Sequence, residues 1–511
     1  VVAPVVVCLL FGAALLMVRK RVDWHPWAAI PGFALLFAAD VLLLLKVAAE
    51  GPQTMMMGSW IAPFGIAFTV DMLGALFVTT AGFVALAAAI YATFSISRTE
   101  RRYGFFPFLF LMIGGVSGAF LTGDVFNLYV WFEVLLIASF GLLILGSEHE
   151  QLDGATKYCF LNLVATTLFL ITTGYLYGLF GTLNMADIAK KAGGFENDGA
   201  LLTIVVLFLV AFSAKAAAFP LNFWLPASYH TPRFVVSALF AGLLTKVGVY
   251  AIIRTETQLF VDNDLNFLLM MVALATMIVG ILGAVAQAEL KRILSFTLVS
   301  HVGYMVFGLA INTPLAVGAT IYYIVHHIIV QTTLFLAVGL IERRAGSTSI
   351  LKVKGLMRAA PVLAVLYFIP AINLGGLPPF SGFIGKYALF DAAARVGTPV
   401  MMVLIVGGIV TSILTLYALM RAWNLSFWRE ENDSAETMER IAYLGNAPAA
   451  AISTERRTIP RIMTAATAGM VAVTIALTVF AGPLLDVCLR AGERIAEGIT
   501  LVQLQGEGAE E

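Results

Sequence analysis

Seven of the titratable side chains inside long apolar stretches of the chain could take part in proton transfer. They are one glutamate, three lysines and three histidines: Glu133, Lys215, Lys246, His301, His326, His327 and Lys386. A charge at bilayer depth costs ~2.5–3.5 kcal/mol even on insertion scales, so its usual explanation is functional. Titratable groups spaced along several helices can pass protons through water. We therefore predict a proton relay inside a membrane.

Structural explanations exist for single members of this set. Glu133 and one lysine could form a static buried ion pair that fixes the helices. His301 alone could be a hydrogen-bonded core residue. Lys386 could extend its amine to the membrane surface if its helix ends a turn earlier. The relay hypothesis depends on all seven groups taken together.

The composition requires a lipid environment for these residues. The chain has 511 residues, of which 60% are hydrophobic and only 12% are charged. A soluble domain carries about a quarter charged residues. Lys and Arg total 31 and so do Asp and Glu, so no basic field favours nucleic acid. Three scattered cysteines provide no metal-ligand spacing. We predict an all-α polytopic membrane protein without metal or cofactor.

Apolar runs of about 20 residues predict about fourteen transmembrane helices, which we call spans and number in chain order. The predicted spans are 1–18, 28–49, 67–94, 105–122, 125–146, 156–180, 200–229, 234–254, 265–287, 292–311, 315–341, 359–394, 400–424 and 463–489. Loops that follow odd-numbered spans carry 21 of the 31 basic residues, and the opposite side carries 7. By the positive-inside rule, both termini lie outside the cytoplasm.

Two predicted spans are too long and contain prolines, which break helices. We expect Pro220 and Pro226 to interrupt span seven, and Pro378 and Pro379 to interrupt span twelve. Matching interrupted helices in two halves of a chain are typical of inverted-repeat transporters and mark the ion site. We therefore predict two inverted five-helix repeats, spans four to eight and nine to thirteen.

Two aspartates near the starts of helices are ambiguous. Asp124, before span five, could help capture a cation, but capping the helix is the commoner role. Asp71, near the start of span three, allows the same two interpretations.

At these residues the chain resembles the antiporter-like family shared by respiratory complex I, membrane-bound hydrogenases and Mrp-type antiporters. The resemblance covers spans two to fourteen, and within the family the chain is similar in particular to the D-type chains of Mrp antiporters. The stretches that carry it are Leu121–Leu136, Gly181–Asp187, Ser213–Pro226, Thr245–Tyr250, Ser300–Tyr304 and Gly376–Lys386.

The resemblance implies a direction for the relay. Glu133 would pair with Lys215, which would pass protons through Lys246 and the histidines to Lys386. Some relatives place a lysine four residues after the span-eleven histidine, whereas here His327 is followed by Gln331, which cannot titrate. The step between Lys246 and Lys386 would then rest on the three histidines and water.

The function implied by the resemblance is a proton-conducting subunit of a multi-subunit antiporter. It would exchange cytoplasmic Na⁺ for external H⁺, driven by the proton motive force, in a bacterial cytoplasmic membrane and together with other Mrp subunits. The alternative is a proton-pumping membrane subunit of a redox complex, either an NADH-quinone oxidoreductase or a membrane-bound hydrogenase. A passive scaffold is a weaker third hypothesis, because seven buried titratable groups would be costly.

The expected organisation has four parts. Residues 1–104 hold the first three spans, and residues 105–424 form the proton-translocating core of spans four to thirteen. Residues 425–461 are charged and predict a cytoplasmic segment at the membrane surface. Residues 462–511 hold span fourteen and an acidic tail.

Overall fold

The structure is a computed structural model that describes residues 1–193, 198–260, 265–429 and 458–496. Its apolar runs are helical because a helix satisfies its own backbone hydrogen bonds where lipid offers no partner. Within the described residues, 11 helices are long and apolar enough to cross a membrane, and three shorter apolar helices accompany them. The prediction of an all-α polytopic protein is confirmed, whereas the number fourteen stays a prediction.

The helices up to the first break are Ala3–Met17, His25–Glu50, Met72–Ser95, Arg98–Arg102, Phe105–Leu121, Val125–Leu143, His149–Phe180, Met185–Ala192 and Asp198–Ala216. Those after it are Trp224–Ser228, Phe234–Leu239, Thr245–Arg254, Asn266–Ala286, Leu290–Ile311, Pro314–Ala345, Leu356–Ala359, Pro361–Gly375, Ser381–Val396, Pro399–Trp423, Arg461–Val479 and Ala481–Ala496. Three segments are π-helical: Phe240–Leu244, Thr255–Leu259 and Asn424–Trp428. The first two join their neighbours into one continuous helix, Phe234–Leu259, which is span eight.

A small hairpin, absent from the sequence predictions, connects spans two and three. Its strands, Gln53–Met56 and Ala67–Val70, are antiparallel, and a short 3₁₀ turn, Met57–Ser59, follows the first strand. The sequence predicted a loop up to residue 66 and the start of span three at residue 67, so the second strand was wrongly placed in a helix that begins at Met72. Four-residue strands leave too short an alternating pattern to recognise.

Both predicted helix breaks are present. Span seven is interrupted at residues 217–223, around Pro220, and span twelve at 376–380, around Pro378 and Pro379. Pro226 was assigned wrongly, because it lies inside the short helix Trp224–Ser228. A proline in the first turn of a helix loses no hydrogen bond, so it does not break the helix there.

The prediction for span fourteen was also wrong. Residues 463–489 do not form one helix, because Arg461–Val479 ends and a second helix, Ala481–Ala496, follows it. The second helix packs against the start of span eleven, where a Cβ on Gly492 would lie 2.4 Å from the Gly318 amide nitrogen. Hydropathy continues across the turn, so composition did not reveal it. Most of the predicted segment 425–461 and the acidic tail lie outside the described residues.

An ion pair outside the spans fixes the start of span eight. Arg233 Nε donates to Glu100 Oε1 at 2.5 Å, and Glu100 also closes a capping box with Ser97. Burial alone would raise the pKa of Glu100, but the hydrogen bonds from Arg233 and Ser97 outweigh it and hold that pKa below its usual value. The pair therefore ties the Arg98–Arg102 helix to the core.

Candidate functional site

Lys215 lies at the end of the first half of span seven, one residue before the helix stops. Its side chain is buried, with the residue 2% exposed. Nζ donates to Asn162 Oδ1 at 3.1 Å and lies 5.8 Å from the ring centroid of Tyr158 and 6.0 Å from that of Phe132. An amide oxygen and two aromatic faces within cation–π range thus stabilise the ammonium group.

Glu133 is half-buried on span five, and it does not contact Lys215 directly. Among the described ion pairs, none joins a Glu133 oxygen to Lys215 Nζ within 4 Å, although the two charges interact through space. Neighbouring helical residues point about 100° apart, and it is Phe132 that faces the lysine. The direct pair implied by the family resemblance is therefore replaced by a contact with Asn162.

Lys246 lies at the centre of span eight and is fully buried. Its Nζ donates at 2.5 Å to the carbonyl oxygen of Ala241, which belongs to the π-helical turn. Such turns occur mostly as single interruptions of α-helices, frequently at functional sites. Gly248 lies against the break in span seven, since a Cβ there would be 2.6 Å from the Ala216 amide nitrogen. Span eight therefore packs directly beside the end of the helix that carries Lys215.

The three histidines form one buried cluster between spans ten and eleven. The ring centroids of His301 and His327 are 5.1 Å apart. His301 Nδ1 and the Tyr323 hydroxyl are hydrogen-bonded at 2.7 Å, and His326 Nδ1 and the Ser381 hydroxyl at 3.0 Å. Ser381 begins the second half of span twelve. The cluster thus reaches the second helix break.

Four ring nitrogens of this cluster have no protein partner among the described residues. They are Nε2 of His301, Nε2 of His326 and both nitrogens of His327. Lys246 and Lys386 both lie within electrostatic range of His327. The arrangement presents exchangeable proton sites between two lysines.

Gln331 lies one turn after His327 but is held by span ten. Its Nε2 donates to the Leu294 carbonyl oxygen at 2.8 Å. The amide has no ionisable proton, and this bond fixes its orientation. Gln331 therefore lines the cluster without being able to replace a titrating side chain.

Lys386 lies beside the second break, with the residue 3% exposed. Its Nζ donates to the carbonyl oxygens of Leu374 (3.1 Å) and Gly375 (3.3 Å) and to Ser412 Oγ (2.9 Å). The helix Pro361–Gly375 ends here, so these carbonyls lack intrahelical partners. The negative end of a helix dipole favours a cation, and the break thus builds the lysine's binding pocket.

Both ambiguous aspartates take helix-cap positions. Asp124 Oδ1 accepts from the Asn127 amide at 2.7 Å, and burial raises the pKa of Asp124 to about 6. Asp71 Oδ1 accepts from the Gly74 amide at 2.9 Å. Both Asp71 oxygens also accept at 2.7 Å from the guanidinium of Arg254.

Arg254, at the predicted end of span eight, was one of the seven basic residues counted on the external side. That assignment was wrong, because the helix runs on to Leu259 and Arg254 is buried within it. Its guanidinium is buried and bonded to Asp71, and Nε donates to the Tyr250 hydroxyl at 2.9 Å. Asp71 therefore has a fixed cationic partner.

Sequence reasoning missed the neutral residues that hold the titratable ones. Four of them are hydrogen-bonded to a predicted site residue: Asn162, Tyr323, Ser381 and Ser412. The available signal was a polar residue inside an apolar run, as for Asn162 in span six. That signal does not say which partner lies opposite.

The comparisons with known proteins cover this whole region. A family model described as NADH:quinone oxidoreductase/Mrp antiporter, transmembrane, matches residues 122–415, which include all seven titratable groups. The chain is 42% identical over 441 residues to the D-type chain of a Na(+)/H(+) antiporter from Alkalihalophilus pseudofirmus, covering 85% of this chain and 88% of that protein. It is 36% identical over 445 residues to the D-type Na(+)/H(+) antiporter chain of Bacillus subtilis, covering 86% and 90%.

Solved structures agree in three dimensions. A chain in the structure of the Mrp complex from Dietzia sp. DQ12-45-1b superposes with a TM-score of 0.89 and 30% identity, over 99% of this chain and 98% of that one. A chain of respiratory complex I from Thermus thermophilus gives 0.81 at 24% identity, over 98% and 99%, which shows the shared fold alone. With a family model over more than half of its length and relatives this similar, the chain belongs to the NADH:quinone oxidoreductase/Mrp antiporter family of transmembrane proteins.

Proposed function

We propose that the chain is the proton-conducting subunit of a multi-subunit Na⁺/H⁺ antiporter, a secondary transporter subunit and not an enzyme. Two observations support this. The relatives at 42% and 36% identity are both named as D-type chains of Na(+)/H(+) antiporters, and six of the seven predicted pathway side chains are buried within the matched region. The chain works with other Mrp subunits in the lipid bilayer of a bacterial cytoplasmic membrane, and the proton motive force drives the exchange.

The observation that carries the proposal is the buried histidine cluster of spans ten and eleven, which reaches the second helix break through Ser381. The proton pathway runs through Glu133, Lys215, Lys246, His327, His301, His326 and Lys386. The histidine cluster supplies the link, since its rings lie near one another and four of their nitrogens have no partner among the described residues. Water would complete the hydrogen bonds between these rings.

The first step is a proton exchange at Lys215. A direct contact with a carboxylate would hold the ammonium form tightly, as in a buried ion pair. The neutral Asn162 oxygen stabilises that form less strongly, while Glu133 acts from a distance. A change in the distance or charge of Glu133 then loads or unloads the lysine, which passes its proton toward Lys246.

The last step is uptake at Lys386. Helix-end carbonyls at the span-twelve break stabilise its charged form. His326 reaches the same break through Ser381. A proton arriving at the histidines therefore has an acceptor whose charged form is already solvated by protein.

Several further features of the chain belong to this proposal. Residues 105–424 form the translocating core, with residues 1–104 before it and 425–461 and 462–511 after it. Both termini lie outside the cytoplasm. In a cysteine-free background, Lys20→Cys should be labelled from the cytoplasmic side only and Val396→Cys from outside only. Labelling in the reverse sense would overturn the orientation.

The central experiment replaces all three cluster histidines, His301, His326 and His327, by alanine in the assembled complex. Na⁺-dependent dequenching of a pH-sensitive dye in everted vesicles measures exchange. The triple variant should lose exchange because the link between Lys246 and Lys386 is gone.

The matched control is His25→Ala, since His25 is a fully buried histidine on span two, away from the cluster. The amount of assembled complex is measured for both variants. Wild-type exchange by an assembled triple variant would refute the relay.

A further inference from the structure

A buried carboxyl stands apart from the proposed pathway. Asp40 lies on span two, in the helix His25–Glu50, with the residue 1% exposed. Neither of its carboxyl oxygens has a hydrogen-bond partner among the described residues. It lies outside residues 122–415, which the family model matches.

The surroundings of Asp40 offer no counter-charge. Cys8 on span one and Gly82 on span three lie close to it, and a Cβ on Gly82 would be 2.2 Å from Asp40 Oδ2. The neighbouring Thr79 hydroxyl donates to the backbone carbonyl oxygens of Asp40 and Ala75, not to the carboxyl group.

The packed helices confirm this isolation. The three apolar helices around Asp40, Ala3–Met17, Met72–Ser95 and Phe105–Leu121, contain no Asp, Glu, Lys or Arg. On its own helix, Lys46 is exposed and pairs with Glu50 at 3.6 Å, while His25 at the other end bonds to the Val18 carbonyl oxygen. No charge of either sign faces the carboxyl from the described helices packed against it.

An ionised carboxylate in such an apolar site is so unfavourable that the group takes up a proton instead. A hard cation does not fit as an alternative, because it needs about six oxygen ligands, and the neighbouring Thr79 hydroxyl is already bonded to backbone carbonyl oxygens. We propose that Asp40 is a proton-binding site, separate from the axis, whose carboxyl is held in its protonated form within the first three spans.

The test is infrared spectroscopy of the purified complex, comparing wild type with Asp40→Asn. A protonated carboxylic acid absorbs above the amide I band, whereas a carboxylate absorbs below it. The wild-type-minus-variant spectrum should show the acid band. Asp486→Asn, which removes an exposed carboxylate, should show the carboxylate bands alone. A spectrum for Asp40→Asn that matches the Asp486→Asn spectrum would overturn the proposal.

Thermal stability provides a second, independent measurement. When the folded protein binds one proton more than the unfolded chain, the equilibrium constant for folding falls roughly tenfold for each unit by which the pH rises. Asp40→Asn lacks this proton, so its melting temperature should rise relative to wild type between about pH 6 and 9. If the melting temperatures of wild type and Asp40→Asn differ by the same amount throughout that pH range, the bound proton is contradicted.

The proposal is independent of the antiport mechanism. Asp40 touches none of the seven pathway residues, so Asp40→Asn should keep Na⁺-dependent exchange in everted vesicles. Loss of exchange in an assembled Asp40→Asn complex would place the residue on the transport path and overturn its separation from the axis.

Discussion

Replacing Asn162 by alanine should weaken the protonated form of Lys215 without removing any titratable group. The change deletes the 3.1 Å hydrogen bond from Lys215 Nζ to the amide oxygen. Hydrogen bonds to charged groups contribute about 1.5–3 kcal/mol, and 1.4 kcal/mol corresponds to about a factor of ten. The ratio of charged to neutral Lys215 should therefore fall roughly 10- to 150-fold.

The smaller fraction of charged Lys215 should shift the pH profile of exchange in a definite direction. If charged Lys215 is needed for exchange, the alkaline limb of the activity profile should move about 1–2 pH units toward acid. Na⁺-dependent dequenching in everted vesicles across about pH 7–9.5 measures it. Asn162→Asp, which offers Lys215 a charged acceptor, should move the same limb toward alkaline pH.

The matched control is Thr172→Ala on the same helix. Thr172 is fully buried, and its hydroxyl donates to the Leu168 carbonyl oxygen of its own helix. It should leave the profile unchanged. An Asn162→Ala complex that assembles with the wild-type profile, or an equal shift in Thr172→Ala, would refute the role given to this hydrogen bond.

Three further predictions concern packing and charge. Gly248→Ala should reduce assembly and exchange together, because its Cβ would lie 2.6 Å from the Ala216 amide nitrogen; a fully active, assembled variant would contradict this close approach. Gln331→Ala should impair exchange mildly and Gln331→Lys should be tolerated, since the amide only orients its surroundings; complete loss of vesicle exchange in both would make Gln331 essential. Glu100→Gln should lower the melting temperature at neutral pH, because it removes the carboxylate charge that pairs with Arg233. Because the pKa of folded Glu100 lies below its usual value, this difference should vanish as pH falls through it, and a difference unchanged down to about pH 3 would exclude the ion pair as its cause.

Much of the membrane architecture follows from the sequence alone. Long apolar runs must become helices in lipid, and Pro378 and Pro379 mark the interruption of one of them at residues 376–380. Charged residues within those runs are rare enough to identify a candidate site directly, as with Lys246 and Lys386. These features depend on composition along one helix, which a single sequence contains.

Which side chains meet across helices was decided only by the tertiary structure. Lys215 contacts Asn162, 53 residues away, and not Glu133. Arg254 pairs with Asp71 across 183 residues. Apolar spans have little amphipathic pattern, because lipid and protein interior are both apolar, so hydropathy cannot say which face of a helix points inward.

Hydropathy also explains why the ends of some helices were predicted wrongly. Span eight continues as a π-helix past Arg254, and the predicted span fourteen turns into a second helix at its midpoint. The position of Asp40 in an apolar run can be read from the sequence. That its carboxyl oxygens have no hydrogen-bond partner among the described residues is seen only once spans one to four are packed together. A residue's depth can be inferred from its neighbours in the chain, whereas its partners depend on helices that are distant in sequence.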